Sequence, residues 1–431
     1  MGQAEDYARV QQFWKKENLG RPLRVVAIGG GAPSAFFGPA AWFPALKAMT
    51  MFQIVGGNVS RHSEVASEFA ERYFLDKGRI YATTEKLIEG EKNRPDGADL
   101  AVIVTPTAYH ARDATLLAEA GIPMICEKPM THEPESARKL VDVAYKNRVR
   151  IAVAYTQSTS PMGILATEKS LEGELGPWKR VAGQYFQGWM GTDIPEGQGG
   201  HRQQQSRLLP ENTGDSNVTA DLGTHILDFL RQVGQGGEVA GVDAHLSSSR
   251  GRDKKAGIAS DDSSIIYVKF TNGAEGVIHT DNAWPNRRNF MVVDVSYEHG
   301  SIRYKGENSD NLAIEISGKP TQVFHSNANE PLPDSVRMQS FMPSGHEGSA
   351  YDYKLKAIAA SLGEAVVADI LHLDPACLKR PYRTALDGLM GVQFVNLAVK
   401  NNGKGWVPNH FLEANKTLPV DNQRIGVYAR R

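Results

Sequence analysis

The sequence predicts a doubly wound α/β domain followed by an α+β domain whose sheet is mainly antiparallel. Between residues 23 and 156, apolar runs of strand length alternate with amphipathic segments of helix length, which indicates parallel strands joined by right-handed crossovers. After about residue 176 the runs alternate apolar and polar residues and are separated by hairpin turns. The 431 residues suffice for two domains, each with its own core.

The first domain is predicted to contain five strands and three helices. Several of the strands are apolar without alternation, as expected for a sheet that is covered on both faces. The predicted strands are 23–29, 52–59, 99–105, 122–127 and 150–156, and the predicted helices are 63–73, 109–120 and 133–146. We therefore divide the chain into an N-terminal extension (1–21), a first domain (22–156) and a second domain (157–431).

The second domain is predicted from two hairpins and two late helices. Strands 264–270 and 274–280 flank Asn272-Gly273, a pair that favours a type I′ turn, and strands 289–297 and 301–304 repeat the pattern. Helices are expected at about 347–362 and 380–400 and complete this domain. Whether the second of these packs back on the first domain is left open.

Composition excludes several classes of protein. The 48 Lys+Arg residues balance 49 Asp+Glu residues, so no positive field attracts a nucleic acid. Cys126 and Cys377, the only cysteines, are too few for a disulfide framework and suit a reducing compartment. We find neither a signal-like start nor an apolar run of membrane-spanning length. We expect a cytoplasmic protein that binds neither nucleic acid nor membrane.

A glycine-rich turn follows the first strand directly. Glycines at this place allow a tight turn and a close backbone approach, so that amide groups and a helix N-terminus can hold a diphosphate. Gly29 and Gly31 fit the first two positions of G-x-G-x-x-G, whereas the third glycine, Gly38, comes four residues late. The loop is therefore longer than usual, and Ser34 can add a hydroxyl contact. The alternative is a glycine-rich turn without a ligand.

The end of the second strand bears on the choice of dinucleotide. An acid at this position would bind the ribose 2′-hydroxyl of NAD. The sequence instead has Ser60-Arg61, with no acid until Glu64. A guanidinium forms charge-assisted bonds with phosphate oxygens, so this pair slightly favours NADP over NAD. The alternative is that Arg61 is simply a solvated charge.

The strand 122–127 ends in Glu127-Lys128-Pro129. A lysine beside a glutamate at the carboxyl edge of a parallel strand faces the crevice where doubly wound sheets bind ligands. On its own, the motif favours a surface ion pair, and a second ionisable pair elsewhere in the sequence is what favours a functional site.

A second ionisable pair lies in the predicted helix 218–230. Asp221 and His225 are four residues apart and hence neighbours on the helix surface. A carboxylate one turn away can raise the pKa of an imidazole and orient it, which makes a proton acceptor near neutral pH. The alternative is a structural ion pair.

A polar stretch over 188–217 shows almost no periodicity. It is rich in Gly and Gln, and a loop of this length in a compact domain is usually functional or disordered. Trp189 offers an aromatic face for stacking on a ligand ring, in which case the stretch forms part of a lid over the ligand. We call residues 188–217 the lid segment.

Taken together, the motifs resemble those of the Gfo/Idh/MocA oxidoreductase family. The resemblance rests on the glycine-rich turn, Thr105-Pro106-x-x-x-His110, Glu127-Lys128-Pro129 and Asp221-x-x-x-His225, in this order and over about residues 22–408. It implies an N-terminal Rossmann domain that binds NAD(P). It also implies an open sheet in the second domain, with the substrate on one side and commonly a subunit interface on the other, as in a homodimer or homotetramer.

The resemblance also implies roles for individual residues. Lys128 would contact the reacting hydroxyl, and His225, with Asp221 as its partner, would transfer the proton. Arg207 resembles the arginine of a W-R-x-x-P segment, although Ser206 replaces the aromatic residue. The residues assigned to the cofactor are Gly29, Gly31, Ser34, Phe37, Gly38, Ser60, Arg61, Thr105, Pro106, His110, Glu127 and Lys128. Those assigned to the substrate are Lys128, Tyr155, Gln157, Trp189, Arg207, Asp221 and His225.

The expected activity is hydride transfer between NAD(P) and a secondary hydroxyl or keto group of a sugar, polyol or glycoside. Two alternatives use the same scaffold. One is a redox-assisted glycosidase or glycoside oxidase that keeps and recycles its NAD(H). The other is a non-catalytic sugar or nucleotide sensor. A metal is not expected, because neither cysteine has a partner at ligand spacing and no H-E-x-x-H occurs.

Overall fold

The computed structural model describes residues 2–14, 20–198, 200–248, 261–306, 311–326, 332–338 and 350–419. Parts of three sequence predictions lie outside these ranges. They are residues 1 and 15–19 of the N-terminal extension, residue 199 of the lid segment and residues 347–349 of the predicted helix 347–362.

The first sheet contains five parallel strands in the order β2-β1-β3-β4-β5. The strands are β1 (Leu23–Ile28), β2 (Phe52–Asn58), β3 (Leu100–Ile103), β4 (Met124–Cys126) and β5 (Ile151–Val153). Alternate β1 residues enter different cores, since Val25 packs on one face of the sheet and Val26 on the other. This confirms the predicted parallel sheet with two covered faces, and it brings the carboxyl ends of all five strands to one edge.

Helices cover both faces of this sheet. They are α1 (Gln3–Gln12), α2 (Phe43–Lys47), α3 (Ser63–Tyr73), α4 (Thr84–Lys92), α5 (Thr107–Glu119) and α6 (Pro134–Lys146). A π-helical stretch, Phe36–Trp42, leads directly into α2. Helix α4 was not predicted, because Leu87 is its one fully buried aliphatic side chain and the apolar stripe is correspondingly weak.

The second sheet has nine strands in the order β13-β12-β11-β10-β6-β9-β8-β7-β14. They are β6 (Trp178–Phe186), β7 (Val239–Ser247), β8 (Ser263–Phe270), β9 (Glu275–Asp281), β10 (Phe290–Tyr297), β11 (Gly300–Lys305), β12 (Asn311–Ile316), β13 (Gln322–His325) and β14 (Val407–Pro408). Strands β6 and β9 run parallel, and the other neighbours pair antiparallel. The predicted, mainly antiparallel sheet is thereby confirmed.

The remaining helices pack against this sheet or connect it to the first one. They are α7 (Pro161–Leu171), α8 (His201–Arg207), α9 (Pro210–Thr213), α10 (Thr224–Val233), α11 (Asp334–Arg337), α12 (Ala350–Ile370), α13 (Ala385–Lys400) and α14 (Phe411–Asn415). Ile226 and Phe229 of α10 lie in the core of the second sheet together with Ile278 of β9 and Val293 of β10. The apolar face of α10 thus packs the helix against the second sheet.

The turn between β8 and β9 differs from the prediction. Phe270 N–H donates to the Ala274 carbonyl (2.8 Å) and Gly273 N–H to the Phe270 carbonyl (3.0 Å), so the loop has three residues. Gly273 has φ +88°, whereas Asn272 is not in the left-handed region. The predicted type I′ turn is therefore wrong, and the geometry is that of a type I turn followed by a left-handed glycine.

Helix α12 does not complete the second domain, contrary to the prediction for this segment. Its residues Leu355, Ile358, Leu362 and Val366 are buried in the same core as Leu23 of the first sheet. A parallel sheet needs apolar cover on both faces, and α12 supplies part of that cover from far along the chain.

Arg383 connects the two halves of the molecule. Its carbonyl accepts a hydrogen bond from Val153 N–H at the end of β5 (2.8 Å). Its guanidinium contacts Asp228 of α10 (2.8 Å) and Asp387 of α13 (2.9 Å), and all three side chains are buried. The segment 380–400 therefore packs on the first sheet as well as on the second, and α10 is tied to β5.

In the part of the chain that the structure describes, none of the helices combines the length and the apolar character needed to cross a membrane.

Candidate active site

A cleft opens at the carboxyl edge of the first sheet, beside the glycine-rich turn. We call the space inside this cleft the inner cavity, and its volume is about 240 Å³. Its lining on the side of the first sheet includes Gly30, Ser34, Phe37, Thr105, Pro106, His110, Glu127 and Lys128. Seven of these eight residues were assigned to the cofactor from the sequence, and Gly30 was not. The opposite wall comes from the lid segment.

Gly30 and Gly38 lie in close contact within the turn. Gly30 has φ +74°, and a Cβ on Gly38 would lie 2.7 Å from the Gly30 carbonyl oxygen. The contact brings the start of the helical stretch against the end of β1, which is the packing role expected of the late glycine. Gly31 connects the turn to β2, because its N–H donates to the Val59 carbonyl at the end of that strand (3.0 Å). Its amide is therefore not available to a diphosphate.

Glu127 anchors the backbone of Lys128. One carboxylate oxygen accepts from the Trp42 indole N–H (2.7 Å) and the other from Lys128 N–H (3.2 Å). Burial raises the pKa of Glu127, while the neighbouring Lys128 opposes that rise. The glutamate thus connects the helical stretch after the glycine turn to the loop after β4.

The Lys128 ammonium meets Asp221 from the other half of the molecule. Its Nζ donates to the Asp221 backbone carbonyl (3.0 Å) and to the Asp221 carboxylate. The same carboxylate oxygen lies 3.1 Å from the Arg207 guanidinium. Burial alone would raise the pKa of Asp221, but the Arg207 and Lys128 cations reverse the effect and hold it below the usual range. Asp221 is therefore a shared anion between two cations.

The pKa of His225 is shifted in the direction opposite to the prediction. Asp221 lies in a π-helical turn (Thr219–Gly223) before α10, and its carboxylate is directed to Lys128 and Arg207. Burial and then the Lys128 ammonium lower the pKa of His225 well below its ordinary value, and Asp221 only partly opposes this. The predicted rise in the pKa of His225 is thus wrong. The imidazole is neutral near pH 7, and its buried Nδ1 has no hydrogen-bond partner among the described residues.

A short chain of contacts connects His225 to Trp189. The Tyr185 ring lies 6.1 Å from the His225 ring, between centroids. Gln187 Nε2 donates to the Tyr185 hydroxyl (3.5 Å), and Gln187 Oε1 accepts from the Trp189 indole (2.7 Å). Trp189 thus lies on the loop that follows β6 and is linked to His225 through Gln187 and Tyr185.

Tyr155 and Gln157 are fully buried. The Tyr155 ring packs edge-on against His225 (5.9 Å between centroids), while its hydroxyl is directed at Gly391 of α13. Gln157 Oε1 accepts from Lys354 Nζ and from the Tyr304 hydroxyl, both at 2.8 Å. The structure therefore places Tyr155 as a packing partner of His225, and Gln157 in a buried polar cluster.

His110 joins two loops of the cleft. Its Nε2 lies 2.8 Å from the Thr105 carbonyl oxygen and its Nδ1 lies 3.0 Å from the Pro129 carbonyl oxygen. Burial lowers the pKa of His110, and these two carbonyls oppose that shift. The residue holds the loop after β3 against the loop after β4, and Pro106 of the loop after β3 lines the cavity.

Ser60 and Arg61 lie outside this cavity, in the turn after β2. The Ser60 hydroxyl accepts from His62 N–H (3.1 Å). Arg61 is exposed, and we find no ion pair for it among the described residues. Both residues occupy the strand end at which doubly wound sheets bind the adenosine ribose.

The lid segment contains two short helices, α8 and α9, which the sequence pattern did not indicate. They form the second wall of the inner cavity through Arg202, Gln203, Ser206, Arg207, Asn212 and Thr213. Arg207, which was assigned to the substrate, lies on this wall with its guanidinium on Asp221. The described part of the segment thus faces the glycine turn across the inner cavity.

Two cations near the site, Lys354 and Arg202, were not predicted from the sequence. Lys354 is a buried lysine of α12 whose charge contributes to lowering the pKa of His225. It could not be found by motif spacing, because α12 reaches the site only through the tertiary fold. Arg202 was missed because the stretch around it lacks an apolar period.

The cleft suits a nicotinamide dinucleotide. Gly30 lines the cavity without a side chain, so phosphate oxygens can approach its backbone closely. The buried Thr105 hydroxyl, on the cavity wall, has no partner within the described structure and can bond to a ligand. Lys128 supplies a cation at the inner end. These groups could hold the diphosphate and the nicotinamide half.

Comparisons with known proteins agree with this geometry. A family model described as an oxidoreductase family with an NAD-binding Rossmann fold matches residues 23–155, and a GFO/IDH/MocA C-terminal domain model matches residues 166–303. Levoglucosan dehydrogenase of Pseudarthrobacter phenanthrenivorans is 27% identical over 326 residues, which cover 68% of this chain and 76% of that protein. The uncharacterized oxidoreductase YfiI of Bacillus subtilis is 25% identical over 306 residues, covering 71% and 76% respectively.

A solved structure shares the fold over most of its length. The inositol dehydrogenase homolog from Azotobacter vinelandii, complexed with NAD+, superposes with a TM-score of 0.80 at 23% identity. The match covers 90% of this chain and 97% of that one.

Proposed function

Because the chain belongs to the Gfo/Idh/MocA family of oxidoreductases, we propose that it transfers hydride between NAD(P) and a secondary hydroxyl or keto group of a sugar, polyol or glycoside. The observation that carries the proposal is the meeting of the Lys128 ammonium with Asp221, one helical turn before His225, beside the glycine turn. The levoglucosan dehydrogenase relative supports the carbohydrate class of substrate.

The chemistry assigns one task to each ionisable group. Oxidation of an alcohol removes a proton from oxygen while a hydride leaves carbon, and the bound nicotinamide supplies the hydride acceptor. His225, as a neutral imidazole, accepts the hydroxyl proton. Lys128 donates a hydrogen bond to the same oxygen as negative charge develops on it. Asp221 positions the ammonium and balances its charge.

A panel of sugars, polyols and glycosides tests the proposal. Purified protein is mixed with each compound and with NAD or NADP, and nicotinamide absorbance is followed. We expect reduction of the dinucleotide by at least one member of the panel. Repeated turnovers that release free sugar without added dinucleotide would replace the proposal with the redox-assisted glycosidase. Sugar binding without any turnover would instead indicate a sensor.

Arg61 is proposed to bind the 2′-phosphate of NADP. Its exposed guanidinium at the end of β2 supports this assignment. Replacing Arg61 with alanine is expected to weaken NADP binding about tenfold or more, because a charge-assisted contact contributes about 1.5–3 kcal/mol. NAD binding should change less than about twofold. Titration calorimetry with both dinucleotides measures the two affinities.

The matched control is His62→Ala, which removes the exposed neighbouring side chain and leaves the guanidinium in place. This variant should keep the selectivity of the unmutated protein. Equal affinities of the unmutated protein for NAD and NADP would contradict the phosphate-binding role.

We also propose a homo-oligomer, a dimer or a tetramer. Support comes from large apolar side chains exposed on neighbouring strands of the second sheet, Ile265 on β8 and Val277 on β9. Such exposed apolar patches mark interaction surfaces. Light scattering on the purified chain should give a mass of two or four copies, and a monomer mass would contradict the proposal.

A further inference from the structure

Two cavities meet at the tip of the glycine turn. The inner cavity adjoins an outer cavity of about 750 Å³ between Pro33 and the lid segment. Only a few residues line both cavities, namely Ser34, Arg202, Ser206 and Asn212. Ser34 lies two residues before the helical stretch that begins at Phe36. The boundary between the cavities is therefore the place where a helix N-terminus would hold the diphosphate.

The lid segment holds α8 in a defined position at this boundary. Gln204 is fully buried, and its Oε1 accepts from Ile194 N–H (2.9 Å). Its Nε2 donates to the carbonyls of Trp189 (2.9 Å) and Thr192 (2.8 Å). Three hydrogen bonds from one side chain thus fix α8 against the preceding loop. Arg202 lies two residues earlier on α8 and is therefore held beside the cleft by a helix whose position is fixed.

The charges on the cavity wall distinguish Arg202 from the other cations. Lys128 and Arg207 both contact the Asp221 carboxylate. Arg202 is exposed, and within the described ranges we find neither an ion pair nor a hydrogen bond for its guanidinium. Glu196 lines the outer cavity beside it without forming an ion pair with it. Arg202 is therefore available to an anion at the boundary.

We propose that Arg202 binds the diphosphate of the dinucleotide from the lid side. This inference rests on the proposed function, and it adds a cofactor contact from the second half of the chain. The glycine turn offers the Ser34 hydroxyl and backbone amides, all uncharged, to the two negative charges of the diphosphate. A guanidinium gives bidentate, charge-assisted bonds to phosphate oxygens. The 2′-phosphate is not the target, because Ser60 and Arg61 at that strand end line neither cavity.

The test is direct binding to Arg202→Gln. Calorimetry with NAD, NADP and ADP-ribose, which carries the diphosphate but no nicotinamide, measures affinity without turnover. We expect all three dissociation constants to rise about tenfold, equivalent to about 1.4 kcal/mol, with the NAD-to-NADP ratio unchanged. The dissociation rate, followed by stopped-flow fluorescence, should rise in parallel. Arg202→Lys should recover part of the affinity.

The control is Arg148→Gln, which removes the same charge from an exposed position at the opposite edge of the first sheet. It should bind like the unmutated protein, and both variants should keep its unfolding temperature. Unchanged affinities in Arg202→Gln would overturn this inference and leave the proposed function intact. Weaker binding of NADP alone would also overturn it, in favour of a 2′-phosphate contact. If the unmutated protein binds none of the three ligands, the proposed function fails first.

Discussion

Replacing Lys128 with methionine is expected to lower kcat/KM for the best substrate about 10²–10³-fold, which corresponds to roughly 3–4 kcal/mol of transition-state stabilisation. Methionine keeps most of the buried stem and removes the ammonium that contacts Asp221. Charge that develops on the substrate oxygen then has no cation beside it. Steady-state kinetics on the substrate identified by the panel gives the ratio.

Two measurements accompany this variant. Lys169→Met removes a lysine that pairs with Glu172 on the surface, and it should change kcat/KM by less than about twofold. The unfolding temperature and the dinucleotide affinity of Lys128→Met show whether the fold and the cofactor site survive. A loss smaller than about tenfold in a folded Lys128→Met would contradict the role of the ammonium.

Replacing His225 with glutamine is expected to lower kcat about 10²–10⁴-fold, because the alcohol loses its proton acceptor. The pH dependence of the unmutated enzyme gives a second readout. A base acts in its deprotonated form, and burial and Lys128 lower the pKa of His225. The deprotonated form therefore persists to lower pH. The rate of alcohol oxidation should stay constant as the pH falls through about 6.5, the ordinary value for histidine, and should decline only further down.

The two residues should also be coupled. Lys128→Met removes a charge that lowers the pKa of His225, so the decline in its residual activity should move to higher pH. The control His245→Gln replaces an exposed histidine of β7 and should leave the profile unchanged. A decline in the unmutated enzyme at or above pH 6.5 would contradict the assignment of His225 as a neutral base.

The sequence was sufficient to predict the framework of the site, because that framework is local. Strand-length apolar runs located β1 to β5, and parallel strands place their carboxyl ends at one edge. Lys128 and the glycine turn therefore had to be neighbours once the strands were assigned. Asp221 and His225 were found through their spacing on an amphipathic segment. Their meeting with Lys128 was inferred from the family resemblance, and the structure brings Lys128 and Asp221 into contact.

The contacts that the sequence did not reveal are tertiary. Arg207 lies on Asp221 because a segment without apolar period folds into α8 and α9, stabilised by the polar contacts of Gln204. The pKa of His225 depends on burial and on two lysines from distant elements, Lys128 and Lys354. The spacing of Asp221 and His225 along one helix suggested instead that the pKa of His225 is raised. Spacing accounts for the Asp221 carboxylate but for neither lysine.

The hydrogen bonds and ion pairs of Arg383 restrict motion of α10 relative to β5. Moving α10 away from β5 would separate the buried Asp228 carboxylate from the Arg383 guanidinium, and breaking a buried ion pair costs about 3–5 kcal/mol. Relative motion of β5 and α10 is therefore energetically costly, which restricts opening between the first sheet and the helix that carries His225. Access to the inner cavity then depends on the lid segment, whose helices α8 and α9 form the second wall of this cavity.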